Sequence, residues 1–61
     1  MEIYRALKTF SAFNEDGEPH LVSESVLLLD NMRFEWVFFY AGGTRFSLQK
    51  DQFERFTERL V

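Results

Sequence analysis

Few residues in this 61-residue sequence have the types and spacing that catalysis requires. The single histidine, His20, follows Pro19 at the edge of a predicted loop, whereas a catalytic histidine needs an orienting carboxylate and a nucleophile beside it. Because the chain has no cysteine, this histidine cannot build a structural zinc site. We therefore expect no enzyme activity, no cofactor and no metal.

The densest polar cluster is the segment NEDGEP at residues 14–19. Carboxylate and amide oxygens suit calcium, but a calcium loop needs a longer series of regularly spaced ligands and a closing glutamate. Asn, Asp, Gly and Pro are turn formers, so the segment is typical of a solvated hairpin loop. Its acidic side chains can also mimic phosphates toward a basic partner, and we treat them as candidate partner-binding residues. They are Glu15, Asp16 and Glu18.

Aromatic residues make up five of the eight positions in RFEWVFFY, residues 33–40. Alternate side chains of a strand lie on opposite faces. Val37 and Phe39 then share one face, and the other face carries a row of four aromatic side chains. The row consists of Phe34, Trp36, Phe38 and Tyr40.

This row has three interpretations. It is core if the sheet curls into a small barrel or if a second copy of the chain covers it. It is a stacking platform if bases of a single-stranded nucleic acid lie on its rings. In that case the phosphates would be held by Arg33, Arg45 and Lys50. It is a protein-docking site if its aromatics and Arg45 act as hot spots, for which Trp, Tyr and Arg are favoured.

Length and charge restrict these alternatives. A chain this short buries about 60% of the surface that its unfolded form exposes, and heavy aromatic burial or oligomerisation must compensate. The net charge is −3, with −4 in residues 1–30 and +1 in residues 31–61, which argues against nonspecific binding to duplex DNA.

The longest apolar runs are far shorter than the roughly 20 residues of a membrane span. We expect a cytoplasmic protein with no membrane contact.

Four strands and one helix are predicted to position these residues. Residues 2–13 alternate loosely and predict the first strand, and the loop at 14–19 leads into a second strand over 20–30, which Asp30 and Asn31 end. The aromatic segment is the third strand. Gly42 and Gly43 predict a two-residue hairpin turn to the fourth.

That turn predicts the register of the last hairpin. Phe39 lies opposite Phe46 and Val37 lies opposite Leu48, so these four residues form a continuous apolar face. Tyr40 lies opposite Arg45 and Phe38 opposite Ser47, which places Arg45 on the face of the aromatic row. We expect the first face to be the main core.

The C-terminal segment LQKDQFERFTERLV, residues 48–61, changes to helical spacing. Phe53, Phe56 and Leu60 fall on one stripe, and Asp51 lies where the positive end of the helix favours an acid. The pattern predicts a three-turn amphipathic helix that covers the core face of the sheet.

The segment RFSLQKDQFERFTERL, residues 45–60, resembles the closing strand and helix of single-stranded-DNA-binding coactivators of the positive-cofactor-four type. In that family a hydrophobic residue, Ser or Thr, and Leu end the strand, and a helix aromatic packs back on the sheet. The matching residues are Phe46, Ser47, Leu48 and Phe53. The resemblance covers about a quarter of the chain and implies the four-strand-then-helix plan and binding to single-stranded nucleic acid.

Residues 9–30 resemble small Src-homology-three-like barrels, in which a long acidic loop also precedes a strand. Compact acidic proteins of this size are common among phage and prophage accessory proteins, which dock on a larger host protein and modulate it. This analogy favours a binding role.

We therefore predict a single α+β domain over residues 1–61, with a curved antiparallel sheet of about four strands followed by a C-terminal helix. We predict a small non-enzymatic protein-binding module, a homodimer, of the phage accessory type. A domain that binds single-stranded nucleic acid through the aromatic row is the alternative.

Overall fold

The computed structural model describes residues 2–61, and within them the chain forms one antiparallel sheet of seven strands with one helix. The strands are β1 (Ile3–Ala6), β2 (Phe10–Phe13), β3 (Pro19–Val22), β4 (Val26–Arg33), β5 (Trp36–Ala41), β6 (Thr44–Gln49) and β7 (Thr57–Arg59). Helix α1 (Lys50–Phe56) lies between β6 and β7 in the chain. Their order across the sheet is β3-β2-β6-β5-β4-β1-β7, so the sheet is open, with β3 and β7 at its edges. The antiparallel class and the C-terminal helix are confirmed, but the prediction of four strands is too low.

The β5–β6 hairpin has the predicted register. Phe39 pairs with Phe46 and Val37 with Leu48, and Ala41 pairs with Thr44 at the turn. Gly42 and Gly43 have φ values of 59° and 81°, which a primed two-residue turn requires and glycine adopts without steric cost.

The two long strands predicted in the first half of the chain are each divided. β1 and β2 lie on opposite sides of the β6-β5-β4 group, so the chain must leave the sheet between them. At this break Leu7 N–H donates to the Phe56 carbonyl, 2.8 Å away. The polar residues 23–25 separate β3 from β4, and there Ala6 N–H donates to the Ser25 carbonyl, 2.9 Å away. Pairing with distant segments thus divides each of the two strands that the alternation of residues 2–13 and 20–30 predicted.

The hairpin loop before β3 is confirmed over residues 14–18. Pro19 belongs to β3 and does not block it, because β3 is an edge strand and the missing N–H breaks no inner ladder.

β4 also runs beyond its predicted end. The β4–β5 ladder shifts register between Leu29 and Asn31, so Asp30 is a bulge residue and the strand continues to Arg33. Arg33 pairs with Trp36, which makes Phe34 and Glu35 the two residues of a tight turn. The predicted third strand therefore begins at Trp36.

Helix α1 has seven residues, fewer than the predicted three turns. It ends at Phe56. The next residue, Thr57, has an extended backbone (φ −136°), and its hydroxyl donates to the Phe53 carbonyl at 2.7 Å. The following residues form β7 and pair with β1, so Leu60 lies outside the helix and is 49% exposed. The prediction that Leu60 covers the sheet is wrong, whereas Phe53 is buried and Phe56 packs against the core.

The core lies between α1 and one face of the sheet, which we call the inner face. Its largest fully buried side chains are Phe39 and Phe53, whose ring centroids are 5.2 Å apart. The Tyr4 ring meets Phe53 edge-on at 4.9 Å. Burial raises the pKa of the Tyr4 phenol, and its hydrogen bond to Glu2 raises it further. In the described chain no helix is long and apolar enough to cross a membrane.

Candidate functional site

The aromatic row of β5 lies on the outer face of the sheet, opposite α1. Val37, Phe39 and Ala41 are buried on the inner face, so the alternation of the strand directs the residues between them outward. Trp36 is 37% exposed, and Phe38 and Tyr40 are half-buried. Within the described chain these three rings therefore lie outside the core.

Phe13 is a member of this surface that the sequence prediction missed. It ends β2 and pairs with Ser47 of β6, which in turn pairs with Phe38 of β5. The Phe13 and Trp36 centroids are 6.2 Å apart, with the ring planes at 65°. The available signal was the alternation of β2, since Phe10 and Ala12 are buried. The aromatic face is defined as Phe13, Trp36, Phe38 and Tyr40.

A shallow groove runs along the aromatic face because small residues interrupt the rings. Phe13, Trp36 and Phe38 line it together with Ser47 and Gly17. Ser47 is short and stands between the Phe13 and Phe38 strands, and Gly17 has no side chain. The groove is therefore apolar at its walls and open to solvent.

Phe34 does not belong to the strand row but lies in the β4–β5 turn, two residues before Trp36. It is 85% exposed and has a φ of 57°. A left-handed backbone costs a residue with a side chain about 1–2 kcal/mol, so a glycine would suit this position better. The Arg33 guanidinium lies 5.9 Å from the Phe34 ring centroid. The fold thus holds a large apolar ring in solvent on a strained backbone, a feature that concentrates at functional sites.

Arg45 lies on the outer face as predicted, but it forms an ion pair with Asp30. Its Nη2 and Nε atoms are 3.1 and 3.2 Å from Asp30 Oδ2. The guanidinium carbon also lies 4.7 Å from the Phe38 ring centroid. The bulge in β4 places Asp30 beside Arg45, a contact that sequence spacing does not reveal. Arg45 therefore adds little net positive charge to the aromatic face.

The acidic loop lies against the same face. Asn14 Oδ1 accepts hydrogen bonds from the N–H groups of Asp16 at 3.0 Å and Glu18 at 2.9 Å, and Gly17 adopts a φ of 80°. This Asx-type turn orders the loop. Glu15 lines a depression with Phe38, Arg45 and Ser47, next to the aromatic groove. Fold topology has brought Glu15 beside Phe38 and Arg45, which are 23 and 30 positions away in sequence. Asp16 and Glu18 lie exposed in the same loop.

Two further candidates for chemistry, His20 and Lys50, do not line the groove. His20 is exposed on edge strand β3, opposite Ala12. Lys50 begins α1, and its N–H donates to the Glu35 carbonyl at 2.8 Å. Within residues 2–61, no three His, Cys, Asp or Glu side chains are grouped so that they could hold a metal ion.

Comparison with protein-family models, curated proteins and solved structures gave no match to this chain. Its function is therefore inferred from the aromatic face, Phe34 and the charges around them.

Proposed function

We propose that this chain is a small non-enzymatic binding module that docks on a larger protein through a surface made of the aromatic face and Phe34, and that it modulates that protein. The observation that carries the proposal is the exposure of large rings on a sheet whose other face already has a helix over it. Phe34 is 85% exposed, and Phe13 and Trp36 are each 37% exposed. Contiguous exposed aromatics mark interaction surfaces, and Trp and Tyr are enriched among binding hot spots.

Phe34 gives the proposal a specific anchor. A strained backbone that presents a ring to solvent lowers the stability of the free chain. Such a ring becomes favourable when a partner pocket removes it from water, because burying a Phe side chain is worth about 1.5–3 kcal/mol. Phe34 is thus suited to insert into a pocket of the partner.

Single-stranded nucleic acid is the alternative ligand, because stacked bases also suit an aromatic sheet face. The charges favour protein. Phosphates need cations beside the stacked bases, but Arg45 is paired with Asp30 and shares a depression with Glu15. Arg33 and Lys50 do not line the groove. A polyanion on this face would meet the acidic loop.

A second copy of the chain is a weaker occupant of the same face. An isologous dimer through the aromatic face would bring two chains of net charge −3 together, with the acidic loops near the contact. Homodimerisation is therefore proposed for conditions that screen charge.

The proposal is tested by affinity capture from a native lysate treated with nuclease, followed by titration of the purified captured protein. Phe34→Ser removes the exposed ring, and Leu60→Ser removes an exposed side chain beyond β7, at the far edge of the sheet. We expect Phe34→Ser to weaken binding of the purified partner at least tenfold, as for a hot spot, and Leu60→Ser to leave it unchanged.

Equal affinity of the two variants would contradict docking through this surface. Loss of the captured species on nuclease treatment, together with salt-sensitive quenching of Trp36 by a single-stranded oligonucleotide, would instead support the nucleic-acid alternative.

A further inference from the structure

The Phe13–Trp36 corner of the groove has the geometry of a cation-binding slot. Its two rings stand at 65° with centroids 6.2 Å apart, and Phe38 continues the wall. Gly17 and Ser47 add no bulk between them. A cation is attracted to a ring face within about 6 Å of its centroid, and two rings set at an angle can contact one cation together.

Other rings of this chain already have such cations. Within residues 2–61, Arg45 lies over Phe38 at 4.7 Å, Lys8 over Phe56 at 4.9 Å, and Arg33 over Phe34 at 5.9 Å. Phe13 and Trp36 receive none from the described residues. The Phe13 and Trp36 rings are therefore of the kind that contact cations elsewhere in the molecule, but no cation of the described residues lies over them.

The negative charges around the groove also favour a cationic ligand. The depression that adjoins the groove shares Phe38 and Ser47 with it and includes Glu15. Asp16 and Glu18 follow in the same exposed loop, while Asp30 offsets Arg45. A cation in the corner would have Glu15 near it, whereas an anion would face the acidic loop.

We infer that this corner receives an arginine side chain of the docked partner, an inference that rests on the proposed function. A guanidinium is planar, stacks on aromatic faces and is weakly hydrated, so it can stack on one ring of the corner and meet the other ring with its edge. Glu15, which lines the adjoining depression, adds a negative charge that attracts it to this part of the face. The partner should therefore present a basic segment to the aromatic face.

The probe for this inference is tetra-arginine, with tetra-citrulline as its uncharged control of the same shape. Trp36 is the only tryptophan, so its fluorescence reports the corner directly. We expect a saturable change in Trp36 emission with tetra-arginine, and at least tenfold weaker binding of tetra-citrulline. An equal response to both peptides, or no response of Trp36 to tetra-arginine, would overturn the inference.

Matched variants separate a local site from general attraction to an acidic protein. Glu15→Gln and Glu54→Gln each remove one exposed negative charge, the first beside the corner and the second on α1. We expect Glu15→Gln to weaken tetra-arginine binding at least threefold and Glu54→Gln to leave it unchanged. Equal weakening would mean that net charge alone attracts the peptide, which overturns the inference.

The two proposals fail separately. If Phe34→Ser weakens binding of the purified partner but tetra-arginine does not affect Trp36, docking stands and the arginine slot is wrong. If Phe34→Ser and Leu60→Ser bind the partner equally, docking through this surface is itself wrong.

Discussion

At the scale of single residues, Phe34 shows how local strain and exposure coincide. Among the described residues it is the non-glycine position with positive φ, and its ring is almost fully in solvent. Neither property stabilises the free domain. Both are consistent with selection for contact with another molecule, as strained residues at binding sites are.

Phe34→Gly should therefore raise the stability of the free domain while weakening docking. Relief of about 1–2 kcal/mol of left-handed strain exceeds the roughly 0.5–1 kcal/mol that glycine costs in backbone entropy. We expect the free energy of unfolding to rise by about 0.5 kcal/mol, measured by urea denaturation with Trp36 fluorescence.

Glu35→Gly is the matched control, because Glu35 is the other turn residue and its φ is not positive. This variant gains no relief of strain and should lose about 0.5–1 kcal/mol. Equal losses of stability in both variants would show that Phe34 is not strained.

At the scale of elements, α1 stabilises the fold through one buried side chain. Phe53 is 2% exposed, and its ring contacts Tyr4 and Phe39 at 4.9 and 5.2 Å. The Thr57 hydroxyl satisfies the Phe53 carbonyl, one of the acceptors left free at the end of a helix, and the chain then turns into β7. The helix is thus short because β7 must pair with β1.

Phe53→Ala should be severely destabilising. Removal of a buried Phe costs about 3–5 kcal/mol, whereas a domain of this size has a total stability of about 3–9 kcal/mol. We expect the urea midpoint to fall by at least a third, or the variant to be unfolded in water. Glu54→Ala, on the exposed side of α1, should change the midpoint little. Equal midpoints for the two variants would contradict the packing of α1 on the inner face.

At the scale of the whole molecule, an apolar outer face competes with a net charge of −3. The exposed rings favour self-association, and the acidic loop beside them opposes it. Salt shifts this balance, because the Debye length falls from about 10 Å at 0.1 M to about 3 Å at 1 M.

Sedimentation equilibrium should show mainly the 7.3 kDa monomer at micromolar concentration in 0.05 M salt and a growing dimer fraction toward 1 M salt. Trp36→Ser should reduce that dimer fraction, because it removes a central ring of the aromatic face. A dimer that persists at low salt and is unaffected by Trp36→Ser would place self-association on another surface.

Much of the fold follows from local rules that a sequence displays. The adjacent glycines and the alternation around them fix the β5–β6 register, and with it the inward direction of Phe39 and the outward direction of Trp36, Phe38 and Tyr40. The turn residues of 14–18 predict an ordered loop, and helical spacing predicts that Phe53 packs on the sheet. These features depend on backbone preferences and on side-chain period over a few residues.

Only the tertiary structure decided which strands are neighbours. The sequence does not show that residues 2–13 divide into strands on opposite sides of the sheet, that the last residues pair with β1, or that a bulge brings Asp30 to Arg45. It also does not show that Phe13 meets Trp36 or that the acidic loop borders the groove. The physical reason is that strand pairing satisfies backbone hydrogen bonds between distant segments. Its free energy depends on how all the apolar faces are buried together, a global condition that no local window of sequence contains.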